Sequence, residues 1–306
     1  MRILVVGAGA TGGYFGGRLA LAGRDVTFLL RERRQQQLKK NGLVLQTPQG
    51  KETLQPATVL ASEINGPYDL IIMTVKSFGL TQAIEDIAPA VGPQTLILPV
   101  LNGMRHVDLL RKRFSDRQVI GGLCKINATL GDQGEVIQLT PLHQLYYGAL
   151  DGNNDDRLHQ LNECLSDCGF ETFLCEDIYA DLWEKWLLLS TLGAVTCMAR
   201  GDTRQVMASS GGETLLHGLF SEVLSTLTAE GYRQRPANTA GVYAWLSNPQ
   251  TPLTSSMYRD MVQGYDIEAE QIIGDLVQRA ERHRIATPLL NAVWVHLQVY
   301  LQQRHA

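Results

Sequence analysis

The sequence predicts an α/β protein: an N-terminal domain built on a parallel β-sheet, followed by an all-α domain. Three observations predict it. In the first half of the 306-residue chain, short apolar runs rich in Val, Ile and Leu alternate with helical patterns. Beyond about residue 177 the periodicity is almost wholly helical. The length is that of two domains at roughly 100 to 200 residues each. The expected division is 1–177 and 178–306.

Taken in order, residues 2–6, 25–30, 69–75 and 95–100 are short, mostly apolar runs, the pattern of strands buried on both faces of a parallel sheet with crossover helices. Between the second and third strands, 43–47 and 52–55 flank Pro48-Gln49-Gly50, which predicts an inserted hairpin. The segments 119–123, 135–139 and 144–150 are strand-like and are expected to extend the same sheet in mixed directions. After the turn cluster Asp151-Gly152-Asn153-Asn154 come a helix over 155–169 and a last strand over 170–174. Helices are then predicted over 179–195, 203–230, 239–246, 254–283 and 288–304, separated by Gly, Pro and Asn-Pro breaks.

Gly7-Ala8-Gly9-Ala10-Thr11-Gly12 follows the first strand and opens a helical pattern, with the spacing G-x-G-x-x-G. In that context Gly7 permits the tight turn and Gly9 lets a pyrophosphate approach. Gly12 brings helix and strand close, with the helix N-terminus facing the anion. This makes the first domain Rossmann-type and dinucleotide-binding. At the end of the second strand an acidic residue would take a ribose 2′-hydroxyl, whereas a basic one favours a 2′-phosphate. Arg31 stands there, with Arg33 and Arg34 close behind, so NADP(H) is preferred over NAD(H) despite the adjacent Glu32. Lys76 and Asn102-Gly103-Met104 lie at the C-terminal ends of the third and fourth strands, where such sheets bind ligands.

Composition narrows the partners. Apolar residues make up 44% and charged residues 19%, against disorder, and the net charge of −4 gives no field to hold nucleic acid. The five cysteines, without a C-x-x-C pair, read as thiols of a reducing cytoplasm. No metal-ligand spacing is present, and no apolar run nears the roughly 20 residues of a membrane span.

Two charges stand on apolar helical patterns. Lys185 lies among Leu182, Trp183, Trp186, Leu187, Leu188 and Leu189, where desolvation would lower the pKa of an ammonium toward that of a useful proton donor; the plainer alternative is an i,i+4 pair with Asp181. Within the helix predicted over 254–283, Glu268 projects into a stripe of Met257, Met261, Tyr265, Ile272 and Leu276, and a carboxylate so placed needs a partner. Lys185 is one candidate. Ser256 lies about 120° from Glu268 on an ideal helix, so periodicity does not group them.

Together these residues resemble the ketopantoate reductase (2-dehydropantoate 2-reductase) family over essentially the whole chain. The matches are the glycine turn with Arg31, the pair Lys76 and Asn102-Gly103-Met104, Leu182-Trp183-Glu184-Lys185 against the family's L-W-x-K, and Ser255-Ser256-Met257 with Asp260 and Glu268 against S-S-M-x-x-D and a following glutamate. The resemblance implies NADPH-dependent reduction of a 2-keto acid, ketopantoate to pantoate, in a cleft between the domains. Lys185 would be the general acid, with Glu268 and Ser256 positioning substrate. Asn102 and Lys76 would lie beside the nicotinamide, and the family occurs as monomers and homodimers. Two departures stand out. Where the family commonly has substrate-binding asparagines, four and eight residues after the lysine, this chain has Leu189 and Gly193, which suits a more apolar 2-keto acid. Within Arg282-His283-Arg284-Ile285 this chain has arginine where the family often has glycine, a milder difference. A non-catalytic NADP(H)-sensing protein is the alternative from another class.

Overall fold

The computed structural model describes residues 1–305, which fall into two units: Met1–Leu101 with His106–Tyr179, and Asn102–Arg105 with the residues from Ala180 onward. In the first unit β1 (Arg2–Val6), β2 (Asp25–Leu29), β5 (Ala57–Val59), β6 (Tyr68–Met73) and β7 (Val91–Pro99) form a parallel sheet in the order β5-β2-β1-β6-β7. Its central strand shows why apolar residues follow one another without alternation. Successive side chains point to opposite faces. Ile3 and Val5 join the core made with Tyr14, Phe15 and Leu19 of α1 (Ala10–Leu21). Leu4 and Val6 join a second core, with Leu80, Ile84 and Ile87 of α3 (Leu80–Ile87) and Leu110 of α4 (Arg105–Arg113). Each such side chain, fully removed from water, contributes roughly 1.5–3 kcal/mol.

The hairpin forms as expected, β3 (Leu43–Thr47) pairing antiparallel with β4 (Gly50–Leu54) around Pro48 and Gln49. The later strands do not extend the parallel sheet. β8 (Gly121–Leu130), β9 (Val136–Gly148) and β10 (Glu171–Leu174) join the hairpin in a separate sheet, ordered β10-β9-β3-β4, with β8 antiparallel on β9. The reason lies in α1, which is packed on both sides. A Cβ on Gly16 would stand 2.7 Å from the Phe28 ring of the first sheet, and one on Gly13 would stand 2.6 Å from Val136 of the second. The edge strand β5, three residues long, is not among the strands predicted from the sequence.

The second unit is helical: α6 (Ile178–Ala199), α7 (Thr203–Met207), α8 (Gly212–Ala229), α9 (Pro236–Leu246), α10 (Ser256–Val262), α11 (Asp275–Arg282) and α12 (Pro288–His305), with α6 beginning two residues before the unit does. Two expected helices are broken. The one over 203–230 is interrupted before Gly211, whose φ of +80° is left-handed. The one over 254–283 stops after Val262, and Gly264 turns the chain at φ +70°. Helical winding resumes at Ala269, with Glu270–Gly274 forming a π-turn ahead of α11.

Candidate active site

The glycine turn is built as its spacing predicts. Gly7 has φ +93°, a conformation that disfavours any side chain. At Gly12 a Cβ would stand 2.1 Å from Thr74 Oγ1 and 2.3 Å from the Gly7 carbonyl oxygen, so helix and strand meet only because that atom is absent. The position a Cβ on Gly9 would take has nothing within 4 Å. The Thr74 hydroxyl donates to the Val6 carbonyl at 2.8 Å, closing the turn from β6. The N–H groups of Ala10, Thr11 and Gly12 precede the first intrahelical bond, Gly13 N–H to Gly9 O. Donors of a first helical turn have no partner within the helix and suit a phosphate. The turn therefore fits a dinucleotide pyrophosphate.

The three arginines after β2 divide. Arg31 is exposed at the N-cap of α2 (Glu32–Asn41), its guanidinium lying near Gly79. Arg33 is exposed. Arg34, which the sequence places in the same phosphate-binding cluster, is engaged elsewhere: its Nε and Nη2 donate to the Ala8 carbonyl at 3.1 and 2.8 Å, and Nη2 also to Gly134 O at 2.9 Å. Burial lowers its pKa. Arg34 braces the turn itself. Lys76 is exposed just beyond β6. A cavity of about 500 Å³ does open in this unit, but Arg18, Thr47, Glu52 and His143 line it with neighbouring residues, and the glycine turn, Arg31 and Lys76 are not among them.

In the helical unit Lys185 is half-buried on α6 between the buried Trp183 and Trp186. Arg235 takes Asp181 at 2.5 Å and Glu184 at 2.5 Å, and Asn238 also bonds Glu184. Hydrogen bonding to Glu184, opposed by burial and added to by Asp181, raises the Arg235 pKa. Glu268 is half-buried, yet it stands at the start of a helix, its carbonyl accepting from Ile272 N–H, and not in the middle of one. Tyr265, expected on its apolar stripe, is 56% exposed.

The two serines have different surroundings. Ser255 is buried as the N-cap of α10, accepting from Tyr258 N–H at 2.9 Å and bonded to Thr196 Oγ1 at 3.0 Å. Ser256 is exposed on the first turn. Met257 fills the space beside Gly193, where an added Cβ would stand 2.8 Å from its Cε, and Leu189 is half-buried one turn after Lys185. Burial pushes the neighbouring Cys197 thiol up to about 12, which leaves it inert.

Asn102 is read from the first half of the sequence, but the segment Asn102–Arg105 belongs to the helical unit. Gln271 Nε2 donates to the Asn102 carbonyl at 2.9 Å. The helical unit thus carries Asn102, Lys185, Ser256 and Glu268, and the first unit carries the glycine turn, Arg31 and Lys76. Gln271 and Arg235 were not read from the sequence as parts of this arrangement, and Arg34 was read as a phosphate ligand, not as a brace of the turn. A polar residue beside Ile272 and Ile273 is the one trace Gln271 leaves there.

Residues 3–152 match the family model "Ketopantoate reductase PanE/ApbA", and 177–301 match "Ketopantoate reductase PanE/ApbA C terminal". An uncharacterized oxidoreductase of Bacillus subtilis (strain 168), YkpB, is 35% identical over 300 residues, covering 98% of this chain and 99% of that one. A 2-dehydropantoate 2-reductase of Streptococcus pyogenes serotype M18 is 26% identical over 290 residues, 94% of each chain. Among solved structures, the ternary complex of D-mandelate dehydrogenase with NADH and anilino(oxo)acetate superposes with a TM-score of 0.88 over 100% of both chains at 22% identity.

Proposed function

The chain belongs to the ketopantoate reductase family and is an NAD(P)-dependent oxidoreductase acting on CH–OH groups; we propose that it reduces a small 2-keto acid with NADPH, ketopantoate to pantoate being the first reaction to test. The observation that carries this reading is the makeup of the helical unit. It sets a half-buried amine on α6 and adds Glu268, Ser256 and the Asn102 segment to the same body.

In this reading the N–H groups of Ala10, Thr11 and Gly12 hold the pyrophosphate that Gly7, Ala8 and Gly9 admit. Arg31 binds the 2′-phosphate with charge-assisted hydrogen bonds. Lys76 and Asn102 attend the nicotinamide end. The bound cofactor supplies a hydride to the 2-keto carbon from C4 of its ring. Lys185 gives a proton from its ammonium to the substrate oxygen as negative charge develops there, and recovers one from water. Glu268 holds that amine and the substrate in place by charge and hydrogen bonding, while Ser256 orients the substrate.

A second reading, a more apolar 2-keto acid, is favoured by Leu189 and by Met257 filling the space at Gly193. The fold neighbour that binds anilino(oxo)acetate and NADH supplies an aryl-bearing precedent of that kind. Following NADPH absorbance with ketopantoate and with straight-chain, branched and aryl 2-keto acids separates the readings. Fastest turnover of ketopantoate supports the first, and fastest turnover of a branched or aryl acid supports the second. Tight NADPH binding with no turnover of any acid would instead indicate a non-catalytic NADP(H) sensor.

A further inference from the structure

Asn102 leaves the end of β7, and it is secured to the helical unit by an irregularity in the helix after Glu268. Glu270–Gly274 is wound as a π-turn, in which one extra residue rotates the remainder of the helix by about 100° relative to unbroken α-winding. Gln271, 2% exposed, donates its amide to the Asn102 carbonyl at 2.9 Å. Gly103 presses on the same residue's main chain. Its φ is +80°, and a Cβ there would stand 2.7 Å from the Gln271 carbonyl oxygen, so the approach is backbone to backbone and open only to glycine. Arg105 adds a half-exposed ion pair to Glu270 at 2.7 Å. On the next residue, Ile272 O accepts from the Trp186 indole N–H at 3.1 Å, and Trp186 directly follows Lys185. Consecutive residues of one π-turn, close behind Glu268, therefore tie down the Asn102 backbone and the Lys185 helix.

We propose that this π-turn is a positioning device for the reaction and that Gln271 is a positioning residue: by holding the Asn102 carbonyl it sets where the Asn102 side chain is presented. That side chain is half-buried and makes no hydrogen bond to any described residue, as suits an amide awaiting a ligand. The inference rests on the role given to Asn102 above. The fold does not depend on Gln271, because Arg279 anchors α11 independently. Its guanidinium lies over the Trp183 and Trp186 rings at 5.8 and 5.4 Å and pairs with Asp275 and Glu230.

Gln271→Met keeps the bulk and removes the donor. Two readouts apply. In the protein without ligand, backbone amide exchange over residues 102–105 should accelerate about tenfold, as one lost hydrogen bond implies, with α12 unchanged. In turnover, kcat should fall about tenfold with the NADPH Kd and the melting temperature nearly unchanged. Gln271→Glu supplies a further signature: only its protonated acid can donate to the Asn102 carbonyl, so activity should decline with rising pH along a limb the wild type lacks. Unchanged exchange over 102–105 in Gln271→Met overturns the clasp, and so does full kcat in that variant when Asn102→Ala is impaired. Full activity in Asn102→Ala with faster exchange in Gln271→Met removes instead the role assigned to Asn102.

Discussion

Arg31 and Arg34 carry the same chemistry three residues apart, and the sequence groups both with Arg33 as a phosphate-binding cluster. The structure separates them by their surroundings. Arg34 sits on the first turn of α2 with its guanidinium on the Ala8 and Gly134 carbonyls, whereas Arg31 at the N-cap is exposed. Hydrogen bonds between charged groups contribute about 1.5–3 kcal/mol, so Arg31→Ala should raise the Kd for NADPH roughly 10- to 100-fold and leave that for NADH nearly unchanged. Arg34→Met should weaken both cofactors equally, because it loosens the turn they share. Fluorescence titration of each variant with each cofactor checks this. Equal losses of NADPH and NADH in Arg31→Ala would show that Arg31 does not read the 2′-phosphate. The glycine turn was legible because its fixed spacing follows a buried strand and opens a helix, a pattern readable within one short stretch of chain. The direction of an arginine was not, since it depends on a carbonyl about 100 positions away.

Helix elements were legible in apolar phase, less so in number and continuity: five were expected beyond residue 177, and seven form among the described residues. Met257, Met261, Ile272 and Leu276 are all buried, and the 11 residues from Met261 to Ile272 complete close to three α-helical turns. Their sequence spacing keeps the α-helical period although residues 263–268 are not helical, which is why periodicity ran through the break and placed Glu268 in mid-helix. Gly264, just past the end of α10, was the available stop signal. Beyond the break α11 is held by Arg279, buried with Asp275 and bonded also to Glu230, which accepts from His283 as well. Burial alone would raise the Glu230 pKa, but Arg279, His283 and Arg282 outweigh it and hold the carboxyl below its ordinary range. A depressed carboxyl contributes stability that is present above its unfolded pKa, about 4.3, and is lost as pH falls through the folded value. Glu230→Gln should therefore flatten the loss of melting temperature on acidification below that range. Arg279→Met, which removes the guanidinium from Asp275 and leaves Glu230 only Arg282 and His283, should destabilise by about 3–5 kcal/mol at neutral pH. Thermal melts from pH 3 to 8 test both, and a wild-type acid limb retained in Glu230→Gln would contradict the assignment.

At the scale of the whole molecule, the change from alternating strands and helices to helices alone was legible because it follows from composition and period. Two features were not. The second sheet presents the same local pattern as an extension of the first, and only the packing of α1 between Phe28 and Val136 distinguishes them. The Asn102 segment lies early in the chain but belongs to the later unit, a fact of tertiary contact. The central claim, a keto-acid reductase whose proton comes from Lys185, is tested most directly by comparing Lys185→Ala with wild type: kcat with the best 2-keto acid, alongside the Kd for NADPH. Positioned acid catalysis contributes typically 10²- to 10⁴-fold, so the variant should lose about that much kcat and still bind NADPH as wild type does. A variant that keeps full kcat would contradict the claim outright.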